Sequence, residues 1–126
     1  MGLNYPQTSR SIDIIKPFVE NTREKFKDYE FRIDWTGSKP YDQENEAIDV
    51  RIKTGSGEEY SANFTTPKFL DYMFEKNGRT GECLSGTYFC MPGMIVVKKL
   101  TEDNIKRTID DLIDNLEVEE YFKKID

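Results

Sequence analysis

The feature that most constrains the fold is a change of hydrophobic period at residue 29. From there to residue 65, apolar residues occupy every second position in three segments, 29–35, 48–52 and 60–64. Because successive side chains of a strand point to opposite faces, each segment predicts a strand with one buried face. The loop 54–58 contains two glycines, which suit the positive φ angles of tight hairpin turns. The sequence therefore predicts a three-stranded antiparallel meander.

A helix is predicted on each side of this meander. Before it, apolar residues recur three and four positions apart. This spacing predicts a helix over about 17–28, with a proline at its first position or with a short strand over 12–15 before it. After the meander, Thr66 suits an N-cap and Pro67 suits the first turn of a second helix. The Asn-Gly pair at 77–78 is typical of a C-terminal stop, so we expect this helix to end there.

The last third of the chain predicts two short strands and two helices. The strands lie at 87–90 and 94–97, on either side of a Met-Pro-Gly turn. Thr101 suits the N-cap of a helix over about 102–115, and a short last helix carries Val118, Tyr121, Phe122 and Ile125. The predicted order is α-β-β-β-α-β-β-α-α. With short connections, this order indicates an α+β fold, in which helices pack on one face of a mostly antiparallel sheet of about five strands.

Charge and composition limit the class of protein. The 126 residues fit a single domain, within which we expect residues 1–10 to be loosely ordered. The formal net charge is −6, which disfavours nucleic acid as a partner and favours a basic protein. The sequence shows neither an apolar run long enough to span a bilayer nor the pattern of a signal peptide. We therefore expect a soluble protein of the bacterial cytoplasm, with no membrane partner.

The sequence lacks most of the groups that catalysis requires. It contains no histidine, which removes the usual general base and the commonest zinc ligand. The two cysteines, Cys83 and Cys90, lack metal-ligand spacing, and we expect both to be free. Several carboxylates could take part in acid–base chemistry, but we expect most of them to be solvated: Asp34, Asp49, Glu58, Glu59 and Glu82. The sequence predicts a protein that is not an enzyme and needs no cofactor or metal.

Two acidic segments are candidate partner-binding surfaces. Over residues 102–126, nine Asp or Glu stand against four Lys or Arg. The first candidate set lies opposite the apolar stripe of the predicted helix: Asp110, Asp111, Asp114 and Glu117. The second set belongs to the loop 37–46, where an aromatic anchor accompanies three carboxylates: Tyr41, Asp42, Glu44 and Glu46. The simpler interpretation of both sets is an ordinary solvated surface.

Parts of the chain resemble a family of small bacterial proteins. The similar stretches are YSANFTTP at 60–67, TGECLSGTYF at 80–89, MIVV at 94–97 and the helix end IDDLI at 109–113. The resemblance covers roughly residues 58–122, and Cys90 stands where the family pattern has a larger, aromatic residue. Some members look like immunity proteins that neutralise polymorphic or contact-dependent toxins. The resemblance implies an immunity protein that neutralises a basic toxin by direct binding.

Two other interpretations fit the residues. The first is a small-ligand-binding domain or a carboxylate enzyme, with a pocket between sheet and helices lined by Trp35, Tyr60 and Tyr88. The second is a structural or adaptor subunit, which would form a stable homo-oligomer. The segment 79–89, which is rich in glycine and aromatic residues, suits either a binding role or core packing.

Overall fold

The computed structural model describes residues 21–125. Residues 21–25 are helical. The elements that follow are β1 (Glu30–Asp34), β2 (Ala47–Lys53), β3 (Glu59–Thr65), α1 (Pro67–Thr80), α2 (Glu82–Gly86), β4 (Met94–Val96), α3 (Glu102–Asp114), α4 (Val118–Tyr121) and β5 (Lys123–Ile125). The helix expected over 17–28 is confirmed for 21–25. The short strand at 12–15 and the expectation about residues 1–10 lie outside the described residues.

The first three strands form the predicted antiparallel meander. The register pairs Ile33 with Val50 and Val50 with Ala62, so apolar residues align across the strands. Thr54 closes the β2–β3 hairpin, because its N–H donates to the carbonyl of Glu58 at 2.8 Å and its hydroxyl accepts from the Glu58 N–H at 3.1 Å. The turn places Gly57 at a φ of 96°, a left-handed conformation that glycine adopts without strain.

One face of the sheet is buried under the helices. The alternating residues of β2 and β3 are almost fully buried, and they form one cluster with the apolar stripe of α3, which consists of Ile105, Ile109 and Ile113. Phe26, Leu100, Val118 and Phe122 complete the cluster. The other face carries charged side chains, among them Arg51, whose Nε lies 3.1 Å from a carboxylate oxygen of Asp34. The α+β fold with a mostly antiparallel, five-stranded sheet is therefore confirmed.

The last two strands differ from the prediction. Residues 87–90 are not a strand, whereas β4 pairs parallel to β3 along residues 63–65. The fifth strand comes from the C-terminal segment, where the predicted helix ends at Tyr121 and β5 pairs antiparallel to residues 59–61 of β3. The physical reason is that β4 covers only half of the edge of β3. The unpaired backbone groups on the other half are satisfied by β5.

The α1 helix runs past its expected end. It ends at Thr80 rather than at the Asn-Gly pair 77–78, and Gly81 at a φ of 88° is the C-cap. Gly78 is accommodated inside the helix because another glycine lies against it: a Cβ on Gly86 would be 2.9 Å from the nitrogen of Gly78 and 2.4 Å from the carbonyl oxygen of Phe74. The segment 79–89 contains α2, whose residues 83–85 have left-handed dihedral angles.

Candidate partner-binding site

The α3 helix positions most of the first candidate set. Its N-terminus is capped by Thr101, whose hydroxyl accepts from the Asn104 N–H at 3.0 Å. Because Ile105, Ile109 and Ile113 face the core, the residues between them are turned towards solvent. Carboxylates accumulate towards the C-terminal end of the helix, where no basic residue occupies the last turn. The carbonyl end of a helix carries a partial negative charge, so these carboxylates are placed unfavourably.

Asp110 is not a free surface carboxylate. Its Oδ1 accepts a hydrogen bond from the hydroxyl of Tyr29 at 2.5 Å, and both of its oxygens lie within 2.9 Å of Nζ of Lys106. Burial opposes ionisation, but the hydrogen bonds from Lys106 and Tyr29 outweigh it and lower the pKa of Asp110. Burial, followed by the hydrogen bond to Asp110, raises the pKa of Tyr29 to about 12. Asp110 therefore joins the residue before β1 to α3, and its charge is already compensated.

The other three carboxylates have no cationic partner among residues 21–125. Asp111 accepts only from the side-chain amide of Asn115, at 3.2 Å. Asp114 and Glu117 make no side-chain ion pair in this part of the chain, although Nη2 of Arg23 donates to the backbone carbonyl of Asp114 at 2.9 Å. The three side chains do not share one surface, because Asp114 lines a groove with Arg23, whereas Asp111 lines a groove on the side of β4.

The loop that holds the second candidate set is tied to the fold. The hydroxyl of Tyr41 donates to the carbonyl of Leu100 at 2.8 Å. Asp42 accepts from the Glu44 N–H at 2.9 Å, and Glu46 accepts from the Ala47 N–H at 3.1 Å. Two of these carboxylates therefore orient the loop backbone. Tyr41 packs against the core and serves as an anchor for the loop within its own chain.

The two candidate sets lie near opposite ends of α3. Tyr41 donates to the carbonyl of Leu100, which directly precedes the N-cap Thr101, so the loop lies beside the start of the helix. At 1.5 Å per residue, Asp114 lies about 18 Å further along the same helix. Glu44 also lines a groove with three lysines, Lys68, Lys98 and Lys99. The loop is therefore not part of a continuous acidic surface with Asp114 and Glu117.

The carboxylates considered for acid–base chemistry have other partners. Glu58 accepts a hydrogen bond from Lys124, which is the main reason that its pKa is lowered. The hydroxyl of Thr80, together with Lys76, lowers the pKa of Glu82. Arg51 contacts Asp34 and lies 3.9 Å from Glu59, and Asp49 accepts from the amide of Asn63. A general acid near neutral pH needs a raised pKa, so Glu58 and Glu82 are shifted in the wrong direction.

The three residues expected to line a ligand pocket lie in different environments. Tyr60 is buried and packs against Phe26 in the core. Trp35 donates its Nε1–H to the carbonyl of Lys39 at 2.7 Å and packs edge-on against Tyr41. Tyr88 is half exposed. The described residues contain no group of three or more His, Cys, Asp or Glu that could hold a metal ion, and both cysteines are free.

Sequence reasoning missed Arg23 and Tyr29 as partners of this helix end. They are 91 and 81 residues away from the groups that they contact, and neither belongs to a recognisable motif. Only the packing of the helical segment 21–25 and of β1 against α3 brings them there. A local sequence pattern could not have indicated either contact.

Comparisons of the chain with models of protein families, with curated protein sequences and with solved structures found no match. Among residues 21–125, no helix is both long enough and apolar enough to cross a membrane. Fold and site together describe an α+β domain with unpaired carboxylates at the C-terminal end of one helix.

Proposed function

We propose that this protein is a non-catalytic binding protein of the cytoplasm that neutralises a basic partner protein, in the manner of a bacterial immunity protein. The observation that carries the proposal is the position of Asp114, at the carbonyl end of α3 with no cation beside its carboxylate among the described residues. Asp111 and Glu117 also have no cation beside their carboxylates among the described residues, but Glu117 lies beyond α3, at the N-cap of α4. The partner would supply positive charges to the carboxylates, whereas Arg23 contacts only the backbone carbonyl of Asp114.

The physical argument is that the carboxylate of Asp114 does not help the fold. An anion at the C-terminus of a helix costs about 0.3–1 kcal/mol when it is exposed and unpaired. Arg23 offsets part of this cost, but it does so through the backbone carbonyl of Asp114. A basic side chain of a partner would convert the unfavourable charge into an attractive contact. Such contacts mainly accelerate association and select partners by charge.

The absence of histidine and the pairing of the other carboxylates support a role in binding rather than in catalysis. Lowered pKa values at Glu58 and Glu82 make these groups weaker bases, and at neutral pH they hold no proton to donate. The resemblance to immunity proteins supports the same class of function. We propose a toxin as the partner because an immunity protein inhibits a toxin by covering part of the toxin's surface. This mode of inhibition needs no catalytic groups in the immunity protein.

The experiment is affinity capture from a lysate of the source bacterium at low salt, read by mass spectrometry. The test variant is Asp114→Asn with Glu117→Gln. The matched control is Asp42→Asn with Glu44→Gln, which changes the net charge equally at the other candidate set. We expect the wild type and the control to retain one basic protein that is released as salt rises, and the test variant to lose it.

Two results would contradict the proposal. Retention of the same protein by the test variant would exclude the helix end as the binding surface. If the wild type recovers no basic protein from a lysate in which such a toxin is shown to be present, neutralisation by direct binding is wrong. Purified toxin would then show whether its activity is unaffected by an excess of this protein.

A further inference from the structure

The outer strands of the sheet differ in charge, and this difference indicates where another chain could pair with the sheet. Among the described residues, β1 is the strand at one edge of the sheet, and β4 lies at the other end of the strand order. The β1 edge carries charges at Glu30, Arg32 and Asp34, a common protection of an edge strand against pairing with another chain. The opposite edge is shared by β5, which carries Lys123 and Lys124, and by β4, whose residues Met94, Ile95 and Val96 carry no charge. Val96 is 46% exposed, so an apolar side chain remains uncovered at this edge.

A groove runs between the uncharged strand β4 and α3. Its volume is about 640 Å³, and Val96 and Lys98 line the side of the strand. Arg107, Asp111 and Leu112 line the side of the helix. Residues of the helix therefore reach beyond the last strand, so that part of α3 has no described strand beneath it. A further strand placed beside β4 would fill this space and cover Val96 and Leu112.

The charges along the groove suit a second copy of the same chain. Arg107 and Asp111 are one helical turn apart on the groove side of α3. A two-fold axis between two β4 strands makes them antiparallel, and it makes the two α3 helices antiparallel as well. With the axis level with the turn between these two residues, Arg107 of each copy lies opposite Asp111 of the other. A surface that carries a positive and a negative charge side by side in this way is complementary to a second copy of itself.

We propose that two copies of this protein associate through β4, which would extend the sheet across a two-fold axis, with Val96 near the axis and Arg107 opposite Asp111 of the partner copy. The strand is short, so the interface is weak and depends on protein concentration. The proposal does not rest on the proposed function: Asp111 occurs in both, but the test of the proposed function changes Asp114 and Glu117, which are not among the groove residues. A strand of a different protein, or residues 1–20 of the chain itself, are the other occupants that the experiment distinguishes.

The experiment is sedimentation equilibrium of the purified full chain over a wide range of concentrations. The variants are Arg107→Glu, Asp111→Arg, the double charge exchange of both, and Val96→Lys. We expect the wild type to form a dimer reversibly. Each single charge reversal places like charges opposite each other, and should weaken the dimer by roughly tenfold or more. The double exchange restores opposite charges and should restore the dimer, whereas Val96→Lys should abolish it.

Arg107→Gln is the control for the intrachain pair of Arg107 with Asp103, which lie 3.7 Å apart. This variant loses that pair without introducing repulsion, so its dimer should be weakened less than that of Arg107→Glu. Circular dichroism checks that every variant is folded. A wild type that stays monomeric at the highest concentration overturns the proposal, as does a dimer that survives Val96→Lys. If the double exchange fails to restore association, the proposed pairing of Arg107 with Asp111 is wrong. If the chain dimerises only after residues 1–20 are removed, these residues occupy the groove in the full chain.

Discussion

The hydroxyl of Tyr29 donates a hydrogen bond of 2.5 Å to Oδ1 of Asp110, joining the start of the sheet to the middle of α3. Lys106 lies over the ring of Tyr29, with its Nζ 4.9 Å from the ring centre, and it also contacts Asp110. The three side chains therefore hold one another in place across two elements. Asp110, which the sequence suggests as part of a partner-binding surface, makes these contacts within its own chain.

Removal of this hydroxyl tests the contact. Tyr29→Phe keeps the ring but leaves Asp110 with one donor fewer, so we expect the free energy of unfolding to fall by about 1–2 kcal/mol, as for a hydrogen bond to a charged group. Urea denaturation of Tyr29→Phe, Asp110→Asn and the double variant measures the coupling. If the two single effects simply add, the two side chains do not interact in solution.

The same tyrosine predicts a dependence on alkaline pH. Burial and the bond to Asp110 raise the pKa of Tyr29 to about 12 in the folded chain, whereas a free tyrosine has a pKa of about 10. The folded state resists loss of this proton, so its contribution to stability is complete below pH 10 and is lost as the pH rises to about 12. Denaturation midpoints measured across this range should fall less steeply in Tyr29→Phe. The slope is reduced rather than removed because burial raises the pKa of Tyr41 as well.

The contact between α1 and α2 depends on Gly86. Its φ is 81°, and an added Cβ would lie 2.4 Å from the backbone oxygen of Phe74. Gly86→Ala combines a left-handed conformation with this overlap, so we expect it to cost about 2–5 kcal/mol. Gly57→Ala is the matched control, since its φ is 96° but no atom lies within 4 Å of the added carbon. It should cost only about 1–2 kcal/mol. Equal effects in thermal denaturation would show that the close approach is not maintained in solution.

Two buried polar side chains should respond in opposite directions. Asn77 is 1% exposed, and neither its Nδ2 nor its Oδ1 has a hydrogen-bond partner among the described residues. Asn77→Leu removes the unpaired polar atoms and keeps the branching at Cγ, so we expect stabilisation by about 1–2 kcal/mol. Thr66 is also buried, but its hydroxyl donates to Glu44 and accepts from Phe69. Thr66→Val should therefore destabilise by about 1–2 kcal/mol in the same denaturation assay. Destabilisation by Asn77→Leu would indicate that the amide is satisfied in solution.

The C-terminal end of α3 allows a further test. Asp114→Asn removes a negative charge from the negative end of the helix, so we expect the free energy of unfolding to rise by about 0.3–1 kcal/mol. Arg23→Gln removes the cation that contacts the carbonyl of Asp114. This variant should lower the free energy of unfolding by a similar amount. Both shifts should shrink at high salt, where exposed charges are screened. Thermal denaturation at low and high salt measures them, and a loss of stability in Asp114→Asn would show that this carboxylate supports the fold.

Local patterns were sufficient to predict much of the fold. The period of two over residues 29–65 predicts β1, β2 and β3, because a strand with one buried face needs apolar residues at alternate positions. Thr66 and Thr101 mark the starts of α1 and α3, because their hydroxyls satisfy backbone N–H groups at the first turn. These features depend on neighbours within a few residues. They can therefore be predicted from the sequence alone.

The sequence by itself thus determined the meander, the starts of the two long helices and the apolar stripe of α3. Only the tertiary structure decided the rest: that Lys123–Ile125 rather than residues 87–90 supplies the fifth strand, and that α1 continues through Gly78. It also decided that Asp110 has a cationic partner within residues 21–125, whereas the carboxylate of Asp114 has none there. The physical reason is the range of the interactions. A turn or a cap depends on adjacent residues, whereas strand pairing, glycine packing and the Tyr29–Asp110 bond depend on groups that are distant in the sequence.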